Sequence, residues 1–305
     1  MPSVRVRLFS TAIKILVRRR DWGDERALTT RARRIFGLRS ELLPLYSGGI
    51  SVERVSGRVS GEWIRTKDKQ KSGAILYLHG GGYVACSPQT HRPITSRLAK
   101  LTHLPVFAAE YRLAPENRFP AALDDAVVAF RWLTAENGIL PEEIAIGGDS
   151  AGGGLTISTL VRLRELGHPL PACVFGFSPW VDLSGSSTSA ASNDGKCAMF
   201  RVENIFDFAA AYLGDTLPTN PLASPLFADL RSLPPLLLHV GSTELLLDDS
   251  VRLDKAYRKA GSSSRMEIFD DVPHAWQMLD GFVPEARDSL RKTADFLAEQ
   301  VDTVS

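Results

Sequence analysis

The chain has 305 residues, of which 44% are apolar and 23% are charged, with three cysteines and a formal net charge of +1. The near-neutral charge excludes strong attraction to nucleic acid or to an acidic polymer, so we expect a small neutral partner and no nucleic acid. The cysteines at 86, 173 and 197 are odd in number and irregularly spaced, so they predict neither a disulfide framework nor a metal cluster and favour a reducing, cytoplasmic location.

The first predicted element is an amphipathic helix within residues 1–20. Its apolar centre is interrupted by Lys14 and no small-residue cleavage site follows, so we interpret it as a helix and not as a signal peptide. No apolar run in the chain approaches the length of about 18 residues that spans a bilayer, so we expect no integral membrane segment. The Arg-rich, helix-like stretch continues to about residue 48, ahead of the first strand.

Residues 50–66 alternate polar and apolar side chains, a pattern that predicts an antiparallel strand pair. From residue 74 onward, short apolar runs alternate with longer helix-compatible stretches. This alternation predicts an α/β fold with a mainly parallel sheet covered on both faces. The predicted strands are 74–78, 106–111, 144–147, 173–177, 236–240 and 266–269. The predicted helices are 121–136, 155–166, 203–213, 250–259 and 284–300.

Residues 182–220 break this alternation with a Ser/Gly-rich run, an apolar helix and a Pro-rich turn. An insertion directly after the strand at 173–177 lies over the carboxyl edge of the sheet, where doubly wound folds bind ligands. A linker between two domains is the alternative, and it is disfavoured because no independent core follows. We therefore expect a four-part organisation. Its parts are an N-terminal part of a helical cap at 1–48, a first part of the core at 49–181, a cap insertion at 182–220 and a second part of the core at 221–305.

The sequence GDSAG at 148–152 lies between the predicted strand at 144–147 and the predicted helix at 155–166. G-x-S-x-G is a weak pattern by itself, but here it occupies a strand-to-helix corner whose small residues allow close approach of the two elements. Such a corner is a nucleophile elbow, and it lifts a serine hydroxyl above the sheet edge. The sequence therefore predicts Ser150 as the nucleophile of an acyl transfer.

His79 and three consecutive glycines, 80–82, follow the predicted strand at 74–78. Glycines expose backbone N–H groups without an obstructing Cβ, as the approach of a substrate carbonyl requires. We predict that Gly81 and Gly82 donate to the oxyanion, with the N–H of Ala151 at the start of the elbow helix as a third donor. A phosphate loop is the alternative, but no Gly-Lys-Ser/Thr follows.

Three of the six histidines follow Ser150, and enzymes with this elbow place the acid before the histidine in chain order. His168 lies in a turn just after the elbow helix, too early to follow the acid. His239 lies within a predicted strand, where a structural role is expected. His274 lies in the loop after the last predicted strand and can reach the sheet edge, so we predict it as the general base.

The acid is expected on the loop after the strand at 236–240, which offers Glu244, Asp248 and Asp249. Glu244 is close to the strand end, so its carboxylate can point along the sheet edge toward His274. Asp248 and Asp249 lie where the next helix begins, where negative charge complements the helix dipole. We predict Glu244 as the acid, with Asp248 as its rival.

These motifs together resemble the hormone-sensitive-lipase family of α/β-hydrolase carboxylesterases, also called bacterial family IV. The resemblance covers roughly residues 70–300. It rests on HGGGY at 79–83, YRLAPE at 111–116, FPAA at 119–122, GDSAGG at 148–153, SPW at 178–180 and the loop of His274. One departure is the acid, which is usually Asp in the family and is Glu244 here.

The resemblance implies an α/β-hydrolase fold with an eight-stranded, mainly parallel sheet flanked by helices and a helical cap. It also implies a lipase-like serine esterase that hydrolyses short-to-medium-chain acyl esters through an acyl-enzyme, without a cofactor or a metal. Two alternatives stay open: an amide or lactone hydrolase on the same triad, and a non-catalytic relative that binds a small ligand. A trypsin-like protease is excluded by the order of the triad residues.

Two further expectations concern the cap and the assembly. The cap insertion carries apolar side chains that are expected to wall off a pocket and limit acyl length, namely Phe200, Ile205, Phe206, Phe208 and Tyr212. A sheet of this class ends in an edge strand that must be covered or paired. We therefore expect a homodimer formed through the strand at 266–269 and the helix at 284–300.

Overall fold

A computed structural model of the chain describes residues 2–19, 22–37 and 48–301. Parts of the predicted range 1–48 therefore lie outside the described residues, namely residues 1, 20–21 and 38–47.

The described residues form an eight-stranded sheet with the spatial order β1-β2-β4-β3-β5-β6-β7-β8. Strand β2 is antiparallel to both of its neighbours, and the remaining pairs are parallel. The expected eight-stranded, mainly parallel sheet and the antiparallel pair at 50–66 are thus confirmed. The strands are β1 Ile50–Val55, β2 Gly61–Thr66, β3 Ala74–Leu78, β4 Val106–Ala109, β5 Ile144–Asp149, β6 Cys173–Phe177, β7 Leu236–Gly241 and β8 Ser264–Phe269.

The five helices predicted from residue 74 onward are all present, with ends that differ by a few residues, and a helix is also present within the predicted range 1–20. The described helices are α1 Val4–Ile13, α2 Glu25–Phe36, α3 Arg92–Thr102, α4 Ala121–Ala135, α5 Ala151–Glu165, α6 Thr188–Ser192, α7 Val202–Leu213, α8 Leu247–Lys259 and α9 Pro284–Val301. Helix α3 was not predicted; Pro93 lies in its first turn, where proline is tolerated because no intrahelical N–H is needed there. None of the described helices is both long and apolar enough to cross a membrane.

Helices pack on both faces of the sheet, and the strands are buried accordingly. On β3, Ile75 faces the cluster that contains α3 and α9, whereas Leu76 faces the cluster that contains α4, α5 and α8. Every residue of β3, β5 and β6 is buried, as expected for parallel strands covered on two sides. This burial explains why the strands appear in the sequence as continuous apolar runs.

The N-terminal helices contact the insertion that follows β6. Helix α1 continues as a π-helical turn, Lys14–Arg18, whose Lys14 Nζ donates to the Gly195 carbonyl at 2.9 Å. Arg18 donates to the Phe200 carbonyl and pairs with Asp194 at 3.1 Å. The two stretches that break the strand–helix alternation therefore lie against each other.

Candidate active site

Ser150 lies at the corner between β5 and α5 with φ 53° and ψ −123°, a strained conformation for a residue that carries a Cβ. Its N–H donates to the Phe177 carbonyl at 2.8 Å. The corner requires close approach of β3, because a Cβ added at Gly152 would lie 2.0 Å from the Leu78 carbonyl oxygen. Ser150 borders a large cavity of the protein.

His274 and Glu244 meet in the structure although they come from different loops. His274 Nδ1 lies 2.5 Å from Glu244 Oε2, and both side chains are buried. Because a carboxylate can only accept, the proton of this hydrogen bond belongs to Nδ1, and in the neutral imidazole Nε2 is left as an acceptor. His274 borders the same cavity as Ser150.

Glu244 is held by two donors on its other oxygen. Its Oε1 accepts the Gly241 N–H at 2.6 Å and the Ser178 hydroxyl at 2.6 Å. Sequence reasoning missed Ser178, which appeared only within the motif SPW. The signal that could have identified it is a small hydroxyl residue directly after β6, at the sheet edge where β7 also ends.

The rival carboxylates are engaged elsewhere. Asp248 Oδ2 accepts the N–H and the hydroxyl of Thr188 at 3.0 Å each, which ties α8 to α6. Asp249 Oδ2 accepts two backbone N–H groups at 3.0 Å, those of Val181 and Asp182. Both side chains therefore hold the insertion in place.

The histidine expected to be structural also lies away from the cavity. His239 is buried in β7, and its Nδ1 lies 2.9 Å from Ser289 Oγ. Burial lowers the pKa of His239 to about 3. Its imidazole is therefore neutral across the physiological range.

The glycine loop after β3 borders the cavity. Gly82 has φ +61°, and a Cβ there would lie 2.5 Å from the ring of Phe208. Gly81 and Gly82 both border the cavity. Within the described ranges, no protein acceptor takes the N–H of Gly81, Gly82 or Ala151. These three N–H groups are therefore not engaged by the described protein groups.

Asp149, next to Ser150, holds this loop in place. Its Oδ1 accepts the Gly80 N–H at 3.0 Å and the Tyr77 hydroxyl at 2.7 Å, and its Oδ2 lies 3.2 Å from His91 Nε2. Burial by itself would raise the pKa of Asp149, but the charge and hydrogen bond of His91 and the hydroxyl of Tyr77 outweigh it, so the pKa is lowered. Asp149 is thus a buried carboxylate beneath the glycine loop.

The cavity has a volume of about 560 Å³ and is mainly apolar away from Ser150 and His274. Cys86 also borders it, but burial raises the pKa of this thiol to about 12, so it is a poor nucleophile. No group of His, Cys, Asp and Glu side chains in the described residues could hold a metal. Apolar wall residues include Phe36, Phe200, Ile205, Phe208, Met278 and Leu279.

Known proteins share this fold over nearly the whole chain. The family model of the alpha/beta hydrolase fold matches residues 75–278. An acetyl-hydrolase of Streptomyces hygroscopicus is 40% identical over 241 residues, which cover 79% of this chain and 80% of the relative. An esterase of Acinetobacter venetianus is 32% identical, with 84% of this chain and 81% of the relative covered.

Solved structures of esterases also superpose on this chain. The crystal structure of an esterase from the bacterial hormone-sensitive lipase (HSL) family superposes with a TM-score of 0.88 at 39% identity, over 99% of both chains. The family predicted from the motifs is therefore confirmed. The chain belongs to the α/β-hydrolase family, among the bacterial hormone-sensitive-lipase esterases.

Proposed function

We propose that this carboxylic ester hydrolase cleaves short-to-medium-chain acyl esters through a triad of Ser150, Glu244 and His274. The observation that carries the proposal is the 2.5 Å contact between His274 Nδ1 and Glu244 Oε2, in a cavity that His274 shares with Ser150. The relatives named esterase and acetyl-hydrolase support the reaction class.

In the proposed mechanism, Ser150 Oγ attacks the ester carbonyl carbon while His274 Nε2 accepts the hydroxyl proton. Glu244 orients the imidazole and stabilises the imidazolium. The oxyanion accepts the N–H groups of the Gly81–Gly82 loop and of Ala151. His274 then protonates the leaving alcohol, and the acyl-enzyme is hydrolysed by a water molecule that His274 deprotonates.

The cavity wall supports a limit on acyl length, with one correction to the residues expected to form it. Phe200, Ile205 and Phe208 border the cavity. In contrast, Phe206 is 47% exposed. Tyr212 does not line the cavity, and its ring stacks on the ring of Tyr83 with 3.7 Å between the ring centroids. Phe206 lies on the face of α7 that turns away from the cavity, whereas Tyr212 shares the face of Ile205 and Phe208 but lies about one turn further along the helix.

We expect kcat/KM to be highest for butyrate to hexanoate esters because an apolar pocket of this size accommodates only a limited chain. The measurement is a panel of nitrophenyl esters from acetate to palmitate, together with an anilide and a lactone. Phe208→Leu should change the octanoate-to-butyrate ratio of kcat/KM by about tenfold. Phe206→Leu, on the same helix, is the matched control and should leave the ratio unchanged. Faster hydrolysis of palmitate than of butyrate esters, or a preference for the anilide or lactone, would contradict the proposal.

We propose that residues 1–48 and 182–220 form a cap over a core made of residues 49–181 and 221–305. Walls of the cavity come from both stretches, with Ile13 and Phe36 from the first and Phe200 and Phe208 from the second. Trp22 supports this arrangement, since its ring packs 5.8 Å from the ring of Phe208.

We also propose a cytoplasmic location. Cys86, Cys173 and Cys197 are all free thiols. Free cysteines are the usual state of proteins in a reducing compartment.

We propose that the protein forms a homodimer through β8 and α9. Strand β8 stands at one end of the strand order, and its Ile268 is 47% exposed. Sedimentation at micromolar concentration should give a species of dimer mass, and Ile268→Lys should shift it toward the monomer. Val52 on β1, at the opposite end of the sheet and 43% exposed, provides the control Val52→Lys, which should stay dimeric. A wild-type protein of monomer mass alone would refute the proposal.

A further inference from the structure

A hydrogen-bonded chain of buried side chains lies beneath the glycine loop and takes no direct part in the proposed steps. His91, which directly precedes α3, is 3% exposed and lies between Thr90 and Asp149. Its Nδ1 is 2.8 Å from Thr90 Oγ1, and its Nε2 is 3.2 Å from Asp149 Oδ2. His91 and Asp149 border the cavity together with Ser150.

The hydroxyl of Thr90 determines whether His91 Nδ1 carries a proton. Thr90 Oγ1 lies 2.7 Å from the carbonyl oxygen of Ser87. A carbonyl oxygen has no proton to give, so the hydroxyl proton must point to it. A hydroxyl has only one proton, and Thr90 therefore accepts at the 2.8 Å contact with His91. Nδ1 is the donor there and is protonated.

Asp149 determines in the same way whether His91 Nε2 carries a proton. Its Oδ1 already accepts the Tyr77 hydroxyl and the Gly80 N–H, and these donors favour the ionised carboxylate. An ionised carboxylate can only accept, so Nε2 donates to Oδ2. With a proton on both ring nitrogens, His91 is an imidazolium.

The other titratable groups around His91 are consistent with this charge. The His79 ring lies 5.6 Å away, and burial together with the charge of His91 lowers the pKa of His79 to about 3, so it is neutral. The Tyr77 ring lies 6.2 Å away, and burial raises its pKa well above the usual value, so it stays protonated. Arg92, the next residue in the chain, contacts Glu62 at 2.7 Å.

We propose that His91 is a positively charged positioning residue that cancels the buried charge of Asp149 beneath the oxyanion hole. Asp149 accepts the Gly80 N–H and thereby holds in place the donors that follow it. An unpaired carboxylate at this depth would repel the negative charge that develops on the substrate oxygen above Ser150, because a buried site screens charges weakly. The positive charge of His91 is inferred from hydrogen-bond geometry alone, whereas the effect of this charge on catalysis rests on the proposed function.

The charge of His91 can be measured without any activity. Histidine-labelled protein at neutral pH should show both ring nitrogens of His91 protonated in ¹⁵N NMR spectra, with the signals assigned by their loss in His91→Gln. His239 is the internal control: its Nε2 has no hydrogen-bond partner among the described residues, and its imidazole should show one unprotonated nitrogen. A bare nitrogen at His91 would overturn the proposal, whether the missing proton sits on Asp149 or is absent.

A charge-compensation cycle tests the effect on catalysis. His91→Gln keeps a donor for Asp149 but removes the charge, and we expect kcat to fall about 10- to 100-fold with KM little changed, less than the loss of a direct oxyanion donor. Asp149→Asn added to His91→Gln removes the buried negative charge and should restore most of the lost kcat.

A double variant no more active than His91→Gln, with both variants folded by circular dichroism, would show a purely structural role and overturn the proposed effect. An imidazolium at His91 in a wild-type protein that hydrolyses no ester would instead reject the proposed function alone.

Discussion

Replacing Ser150 by alanine should lower kcat by about 10⁴- to 10⁶-fold, because the variant lacks the oxygen that attacks the substrate. The fold should survive the change. Alanine carries the same Cβ as serine at this strained φ, and the contacts that hold the corner use only the backbone. These are the Ser150 N–H to the Phe177 carbonyl and the Trp180 N–H to the Ser150 carbonyl, at 2.8 and 2.9 Å.

The measurement is kcat for a nitrophenyl butyrate ester, with thermal unfolding as the check on the fold. Ser158→Ala is a matched control on α5, the helix that follows Ser150. Within the described part of the chain the Ser158 hydroxyl is buried without a hydrogen-bond partner, so this variant should keep the wild-type kcat. A fluorophosphonate should label Ser150 alone. If Ser150→Ala kept more than a tenth of the wild-type activity, Ser150 would not be the nucleophile.

Glu244→Gln should lower kcat by about 10²- to 10⁴-fold with little change in KM. The Gly241 N–H, 2.6 Å from Oε1, requires an acceptor, so the glutamine oxygen must face it. The glutamine NH₂ then faces His274 Nδ1 and forces that nitrogen to accept. The imidazole proton moves to Nε2, which can no longer take the proton of Ser150.

Two further variants separate this effect from alternatives. Glu244→Asp should be more active than Glu244→Gln if the loop can move far enough to make up for the missing methylene group of the shorter side chain. Asp248→Asn is the control for the rival acid; its amide oxygen can still accept from Thr188, so we expect a stability loss of about 0.5 to 1 kcal/mol at the start of α8 and little change in turnover. If Asp248→Asn abolished activity while Glu244→Gln spared it, the two roles would have to be exchanged.

Much of the fold was predictable because its strands are buried on both faces. The bounds of β3 and β6 match the predicted ranges because each is a continuous apolar run. The elbow was predictable for a similar reason, since the strand end, the small residues and the following helix are all local in sequence. Helix α3 escaped prediction because it has a proline in its first turn, and proline in a sequence is also a signal for a turn.

The sequence by itself determined the class of fold, the chain order of Ser150, Glu244 and His274, and the glycine loop, because each depends on a local pattern. Only the tertiary structure decided which distant side chains meet, such as Ser178 with Glu244 and His91 with Asp149, which form hydrogen bonds. It also decided that α7 turns Phe208, and not Phe206, toward the cavity. Periodicity separates the faces of a helix but does not state which face packs inward, because that choice depends on elements far apart in the chain.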